Sequence, residues 1–439
     1  MAVRVNLSEF EQCMIEKTTK LSDNDVTFTG GGIDSGISTC SSDLKSDSIH
    51  ISTSSETGRE LNLGIVMSHG GGSYEDSTGI RNRLHGLEPL LEAIHNELVD
   101  VFKIRVLQSL EKRNLRGLIY SCLDLRAVKN FAKQRKEFAV FRIRVTVDIP
   151  SERERKRLRE ADGFVLPYSS NDLESMLSAM RFQTNLMCER LVSCLSTRSK
   201  LRQYPHLVRA PTTFPLLFRS SAAGTLIHEI CGHQLEGDIW YGELNQGEKV
   251  SNSGLMVRDN AMIAGMWGSY WVDDEGNQPS PVDLVRDGTI TGMLLDERSS
   301  DGFQLPTNGH GRRRDYRVRP QVRISNLEVT ANRVAGEIGA RDGPSEGISI
   351  TRADWAVTDA SGRVRMRISE ANLVTSGEVS AVVAPFEVSF WLRDALKAVG
   401  GSFGDTTTCG ASCGKNGQWI GWGSKSPGLV LDPCGTYSD

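Results

Sequence analysis

The stretch TLIHEICGHQLEGD, residues 225–238, constrains the local fold more than any other part of the chain. His228 and His233 are five positions apart, which is about 140° around an α-helix, so a regular helix would point their side chains in different directions. Two histidines that act together therefore require the helix to deform or to end between them. Gly232 permits such a break, and a π-bulge would have the same effect.

The residue types in this stretch indicate a metal site. Imidazole is a common zinc ligand, and Glu229 could take a proton from zinc-activated water. Two protein ligands are too few for a catalytic zinc site, so a third must come from elsewhere. The candidates for the third ligand are Glu236, Asp238, Cys231, Cys409 and Cys413. The alternative is two ordinary polar histidines beside an apolar stripe, but a chance His-Glu-x-x-x-His occurs about once in a hundred such sequences.

Length and composition predict a globular protein of two domains, residues 1–205 and 206–439. A net charge of -4 disfavours nucleic acid as a partner. The N-terminal residues carry charges throughout and no apolar run reaches about 18 residues, so neither a secretory signal nor a membrane span is expected. Nine irregularly spaced cysteines favour a reducing cytoplasm.

Hydrophobic periodicity in the first half predicts an α-helix over residues 88–114 and a half-buried strand over 138–149. The charged run at 151–160 is interpreted as a solvated turn and helix start. A second long helix is expected over about 170–200.

The second half is predicted to be mostly strand, with hairpins at 282–295, around Asp287-Gly288, and at 355–368. An apolar stripe predicts a helix over 388–399. Ser220 or Ser221 could cap the helix that carries the histidines. The predicted class is therefore α+β, with an N-terminal mixed α/β domain followed by a β-rich C-terminal domain that carries the metal-binding helix.

These motifs resemble the TldD/PmbA metallopeptidases, also called modulators of DNA gyrase, and specifically their metal-bearing TldD-type subunit. The similarity covers about residues 219–432 and is loose in the first half. Its segments are GTLIHEICGHQLEGD, AGMWGSYWVDDEGNQPSPVDLVRDGTITGMLLD, TNGHGRRRDY, RISNLEV and CGKNGQ.

The resemblance implies that His228, His233 and Cys413 bind zinc and that Glu229 is the general base. It leaves Cys409 outside the motif and Cys231 as a packing residue. In the loop TNGHGRRR, His310 could donate to a developing oxyanion, and Arg312 or Arg313 could bind a carboxylate. Pairing of these arginines with acidic residues such as Asp315 is an equal alternative.

The resemblance further implies a zinc metallopeptidase that cleaves extended peptides, or a peptide-like intermediate of natural product biosynthesis. It implies a companion subunit of the PmbA/TldE type in a heterodimer, or a homodimer, with no nucleic acid and no membrane as partner. The segment at 330–350 is shorter than its counterpart in the family, and the N-terminal half diverges from the family pattern. The resemblance therefore predicts the metal chemistry better than it predicts the substrate.

The sequence offers two alternative functions. A serine hydrolase is suggested by HGGG at 69–72 and by Ser412 within GASCG, but that fold needs a histidine after the nucleophile and the last histidine is His310. The second alternative is a non-catalytic subunit that only binds a partner. Such a subunit has no need of Glu229 beside a complete ligand set, so partner binding is expected in addition to catalysis.

Overall fold

A computed structural model describes eleven segments of the chain. They are residues 44–56, 62–69, 72–73, 116–130, 136–149, 158–167, 173–201, 207–239, 244–314, 318–332 and 344–438. The helix predicted over 88–114 lies outside the described residues. Within the described segments, no helix has both the length and the apolar character needed to cross a bilayer.

The first sheet has six antiparallel strands in the order β3-β2-β1-β4-β5-β6. Their bounds are β1 Leu44–Glu56, β2 Asn62–His69, β3 Gly72–Ser73, β4 Arg116–Asn130, β5 Lys136–Ile149 and β6 Leu158–Pro167. Strand β5 confirms the strand predicted over 138–149, and its Ile143 is fully buried. The expected helix start near 160 is wrong, because residues from Leu158 onward pair with β5 as a strand.

Helix α1, Leu173–Leu201, confirms the second predicted helix and packs against β6. Its buried residues follow one another at three- and four-residue steps, which places them on one face of the helix. They include Met176, Met180, Met187, Leu191 and Leu195.

The second sheet has 13 strands, which lie between Leu207 and Ser438. Its strands are β7 Leu207–Val208, β8 Leu216–Phe218, β9 Met256–Asp259, β10 Val282–Arg286, β11 Thr289–Ile290, β14 Asn326–Thr330, β15 Gly347–Thr358, β16 Arg363–Thr375, β17 Glu378–Val383, β18 Phe386–Trp391, β19 Val399–Lys415, β20 Gln418–Leu431 and β21 Thr436–Ser438. The strand order is β11-β10-β9-β14-β20-β8-β15-β16-β17-β7, with β18 on β16, β21 on β18 and β19 on β20. Strands β12 Gly311–Arg312 and β13 Gln321–Val322 form a separate pair.

Parallel pairs within this sheet are β14 with β20, β8 with β15, and β7 with β17, and the other pairs are antiparallel. Helix α2, Ser220–Ile227, lies against β20 and β15. A side chain at Gly224 would overlap Ser424 of β20, so glycine allows this close approach. The described residues contain two further α-helices, α3, Glu297–Phe303, and α4, Leu392–Ala398. The mixture of large sheets and separate helices confirms the α+β class.

Both predicted hairpins are confirmed. Strands β10 and β11 join through Asp287 and Gly288, whose φ angles of 47° and 68° suit a tight two-residue turn. Strands β15 and β16 join through a turn that contains Gly362.

The helix predicted over 388–399 is only partly correct. Residues up to Trp391 form β18, and only Leu392–Ala398 are helical. Val388 is fully buried and pairs with Met366 of β16. Pairing along β16 therefore overrides a stripe that also fits helical spacing.

Candidate metal centre

The two histidines lie in a distorted extension of helix α2. A π-helical turn spans His228–Gly232, and a single 3-10 turn follows from His233 to Leu235. A π-turn closes its hydrogen bonds over five residues instead of four, so side chains five positions apart come to the same side. The two imidazole centroids are 4.5 Å apart. The predicted deformation between the histidines is therefore confirmed.

Two local expectations for this helix are wrong. Arg219 occupies the N-cap position of α2 and makes no side-chain cap, so neither Ser220 nor Ser221 caps it. Gly232 has an ordinary right-handed helical backbone and is not needed to break the helix. A side chain there would place its Cβ 2.6 Å from Cδ1 of Ile324, so close packing requires the glycine.

The third donor comes from the long hairpin of β19 and β20. Cys413 lies near the end of β19, and its Sγ is 3.0 Å from Nε2 of His233. One ligand atom each from His228, His233 and Cys413 lies within 4.8 Å of the other two. Among the five candidates for the third ligand, Cys413 is thus the one that meets both imidazoles.

The other four candidates lie outside the donor cluster, although Glu236 contacts the opposite nitrogen of His233, Nδ1. Cys409 Sγ is 2.9 Å from the Ser424 hydroxyl, and Cys231 lies in the hydrophobic core, where burial raises the pKa of its thiol to about 12. The carboxylates of Glu236 and Asp238 both accept from Lys415.

His228 supplies the test of whether a metal fits this site. Its side chain is 2% exposed, and neither ring nitrogen has a hydrogen-bond partner in the described part of the chain. The ring stacks on Trp422 at 3.9 Å between centroids. Leaving a buried polar atom without a partner costs about 1–3 kcal/mol, and a cation would relieve that cost. Two imidazoles and one thiol form a donor set that suits zinc.

The two imidazoles differ in their electrostatic surroundings. Burial, reinforced by the proximity of His233, lowers the pKa of His228 well below its usual value. Burial opposes protonation of His233 as well, but the Glu236 carboxylate and the hydrogen bond with Cys413 outweigh it and raise its pKa well above the usual value. These surroundings disfavour the charged form of His228 and favour the charged form of His233.

Zinc binding should consequently strengthen as the pH rises from about 6 to about 8, because His233 must lose its proton before it can ligate a metal. Protonation of His233 stabilises the metal-free fold below about pH 6.5, and this contribution disappears as the pH rises through its raised pKa. The increase in Tm on adding zinc should therefore grow across this range. Thermal melts with and without zinc at several pH values measure it, and an increment that shrinks with pH would contradict the expectation.

Glu229 lies beside the histidines with only 6% of its surface exposed. The Thr358 hydroxyl is 3.2 Å from its Oε2 and 3.1 Å from its backbone carbonyl, and it holds the side chain in place. Burial raises the pKa of Glu229, which makes the carboxylate a stronger base. Nothing in the sequence predicts this contact, because Thr358 is 129 residues from Glu229 along the chain and belongs to no motif.

Glu229 and the three donors open into one cavity of about 590 Å³. One wall is the segment Ala353–Thr358 of β15, and another is the segment Ala411–Asn416 around Cys413. Trp419, 65% exposed, also lines this cavity. We call this cavity the metal cleft.

The residues suggested for substrate binding do not line the metal cleft. His310 is fully buried and bonds to Asn308 and Asp259. The Arg312 guanidinium donates to backbone carbonyls of Ile324 and Gly421 and lies over the ring of Tyr270. Arg313 is 3% exposed. None of the three residues lines the metal cleft, and their role in substrate binding stays a prediction.

Comparison with known proteins decides the family. A family model described as the PmbA/TldA metallopeptidase C-terminal domain matches residues 211–427, which include all three donors and Glu229. The metalloprotease TldD homolog of Haemophilus influenzae is 25% identical over 305 residues. Residues 211–427 thus match the TldD/PmbA family. The alignment with the Haemophilus protein covers 66% of this chain and 60% of that protein.

A second TldD/PmbA relative is the zinc metalloprotease TldD homolog of Saccharolobus solfataricus, 22% identical over 214 residues. That alignment covers 47% of each protein, so the chain spans only about half to three fifths of these relatives.

Two solved structures have a fold similar to that of this chain. A putative modulator of DNA gyrase from Thermotoga maritima superposes with a TM-score of 0.61 at 11% identity, covering 99% of this chain and 100% of that one. TldE from Thermococcus kodakarensis superposes with a TM-score of 0.58 at 13% identity, covering 98% and 100%. At such identities the likeness establishes the fold alone.

Proposed function

We propose that this chain is a zinc-dependent metallopeptidase of the TldD type, which hydrolyses amide bonds in extended peptides or in a peptide-like biosynthetic intermediate. The observation that carries the proposal is the convergence of three metal-ligating side chains beside a buried glutamate in an open cleft. The metalloprotease names of its relatives support the same class of reaction.

In this proposal His228, His233 and Cys413 hold the ion. Bound zinc would supply Lewis-acid chemistry, polarising the scissile carbonyl and lowering the pKa of water to about 7. The name of the Saccharolobus relative, a zinc metalloprotease, supports zinc as the ion.

Glu229 is the proposed general base. Its carboxylate takes a proton from the attacking water and passes it to the leaving amine, so it must stay close to the reacting atoms through both steps. The hydrogen bond from Thr358 supports this role, because it limits the movement of the carboxylate. Burial of Glu229 also excludes bulk water, which would compete for the proton.

The shape of the metal cleft favours an extended substrate. Strand β15 pairs with β8 only through Ile348–Ile350, and beyond that point the same edge of β15 has no strand partner among the described residues. A peptide could add to this edge through backbone hydrogen bonds, which depend little on sequence. The segment Ala353–Thr358 of that edge lines the cleft.

A companion subunit of the PmbA/TldE type, or a second copy of this chain, is the proposed partner. The likeness to TldE supports a fold that the two subunits would share. We further infer that the protein acts in the cytoplasm. In the described residues Cys231, Cys409, Cys413 and Cys434 form no disulfide, as a reducing compartment favours.

The test combines metal analysis with a peptidase assay. Protein purified without added chelator should contain stoichiometric zinc and cleave an unfolded polypeptide such as casein, alone or with a co-purified companion. Dialysis against a chelator should abolish cleavage, and added zinc should restore it. Cleavage that continues at full rate in zinc-free protein would reject the proposal.

A further inference from the structure

The metal donors belong to two segments that are distant along the chain, and a buried ion pair joins these segments. Lys415 follows Cys413 by two residues on β19, and Glu236 follows His233 by three. Lys415 Nζ is 2.7 Å from Glu236 Oε2, with exposed side-chain fractions of 7% and 0%. The ammonium also donates to Asp238 Oδ1 at 2.6 Å and to the Val322 carbonyl at 2.9 Å.

The Glu236 carboxylate accepts hydrogen bonds from three directions. Its Oε2 accepts from Lys415 and from Nδ1 of His233 at 3.1 Å, and its Oε1 accepts from the backbone N–H of Ile324 at 3.0 Å. With Nδ1 donating to a carboxylate, the lone pair of the neutral ring is on Nε2. That atom is 3.0 Å from Cys413 Sγ, so the hydrogen bond presents the correct nitrogen to the donor cluster.

His228 has no comparable support. Its ring nitrogens lack hydrogen-bond partners among the described residues, and stacking on Trp422 orients the ring instead. Among the three donors, the hydrogen bond of Glu236 is therefore made to His233.

The lysine is needed because an uncompensated carboxylate in the interior is costly, by about 3–5 kcal/mol when its partner is removed. Lys415 supplies the opposite charge, and its position on β19 links that charge to the strand carrying Cys413. Arg323 also stabilises the β19–β20 hairpin, because its guanidinium donates hydrogen bonds to the backbone carbonyls of Cys413 and Gln418. Its bonds reach only backbone atoms, whereas Lys415 reaches the residue that orients His233.

We propose that Glu236 and Lys415 are positioning residues of the metal centre. Glu236 sets the tautomer and direction of His233, and Lys415 pairs with Glu236 and so holds the Cys413 strand against the histidine helix. This inference rests on the proposed zinc site and adds two residues that do not touch the ion.

The test measures zinc affinity by competition with a chromophoric chelator, using the full chain. Glu236→Gln keeps the size of the side chain but removes its charge, and zinc should bind about 10–100-fold more weakly. Lys415→Met should weaken binding at least as much, because it leaves Glu236 buried without its cation. The matched control is Asp238→Asn, which also contacts Lys415 but does not touch His233, and its zinc affinity should stay within about threefold of wild type.

A second readout separates positioning from a general loss of structure. The visible spectrum of the Co²⁺-substituted protein reports ligand geometry, and it should change in Glu236→Gln but not in Asp238→Asn. The double variant Glu236→Gln/Lys415→Met removes both charges together, so it decides the question where a single variant does not fold. It should bind zinc at least about 10-fold more weakly than wild type, and an unchanged affinity would reject the positioning role. Where both single variants fold, its affinity loss should be smaller than the sum of their effects, expressed as free energies.

The possible failures are distinguishable. If wild-type protein binds no stoichiometric zinc, the proposed function itself is wrong. If wild type binds zinc and Glu236→Gln binds it with unchanged affinity and an unchanged cobalt spectrum, only the positioning role is wrong.

Discussion

Replacing Glu229 with glutamine should abolish peptide hydrolysis while the protein keeps its zinc. Glutamine preserves the size of the side chain and can still accept the hydrogen bond from Thr358, but it cannot take a proton from water. General acid–base catalysis contributes about 10²–10⁴-fold, so kcat should fall by at least that range. The measurement is kcat on a peptide substrate together with zinc content by elemental analysis.

The control for this variant is Asp354→Asn. Asp354 lies on β15 and lines the same cleft, but its carboxylate contacts Arg352 and Ser369 instead of Glu229. Its kcat should remain close to wild type. Normal turnover in Glu229→Gln would refute the base assignment, and loss of zinc from that variant would assign Glu229 to the ligand set instead.

Replacing Cys413 with serine should release the metal. The thiolate is the only sulfur donor within the cluster, and a neutral hydroxyl is a much weaker zinc ligand. The loss of affinity should exceed the roughly 100-fold that changes beyond the ligands typically produce. Purified Cys413→Ser should therefore contain far less than stoichiometric zinc and hydrolyse no peptide.

Cys409→Ser provides a closely matched control, because Cys409 lies four residues earlier on the same strand. Its Sγ contacts Ser424 and takes no part in the donor cluster. This variant should keep both zinc and activity. Equal zinc loss in the two variants would indicate a general defect of β19 and would count against Cys413 as a ligand.

The spacing and type of neighbouring residues along the chain predicted several features correctly. The five-residue spacing of His228 and His233 required a distorted helix, and a π-turn is present. The Asp287-Gly288 pair predicted its hairpin because few residues other than glycine, aspartate and asparagine tolerate left-handed backbone angles. Both predictions depend only on residues that are neighbours in the sequence.

Predictions failed where partners distant along the chain determined the outcome. Apolar spacing from Val388 onward fits a helix as well as a strand, and pairing with β16 decides for the strand. The substrate-binding role of His310 and Arg312 stays a prediction, but the folded chain already pairs both side chains with acceptors outside the metal cleft. A sequence pattern does not reveal which polar groups the fold has already paired.

The metal centre also has features that neighbouring residues determine and features that tertiary packing determines. The sequence by itself determined the donor types and the helix distortion, since both are properties of a few consecutive residues. The family resemblance implied Cys413 as the third ligand, but only the tertiary structure brings its Sγ, and not that of Cys231 or Cys409, to the two imidazoles. The physical reason is that the register of the β19–β20 hairpin and the packing of α2 on β20 bring together residues 180 positions apart. The same packing sets Lys415 against Glu236, a contact that no local pattern predicts.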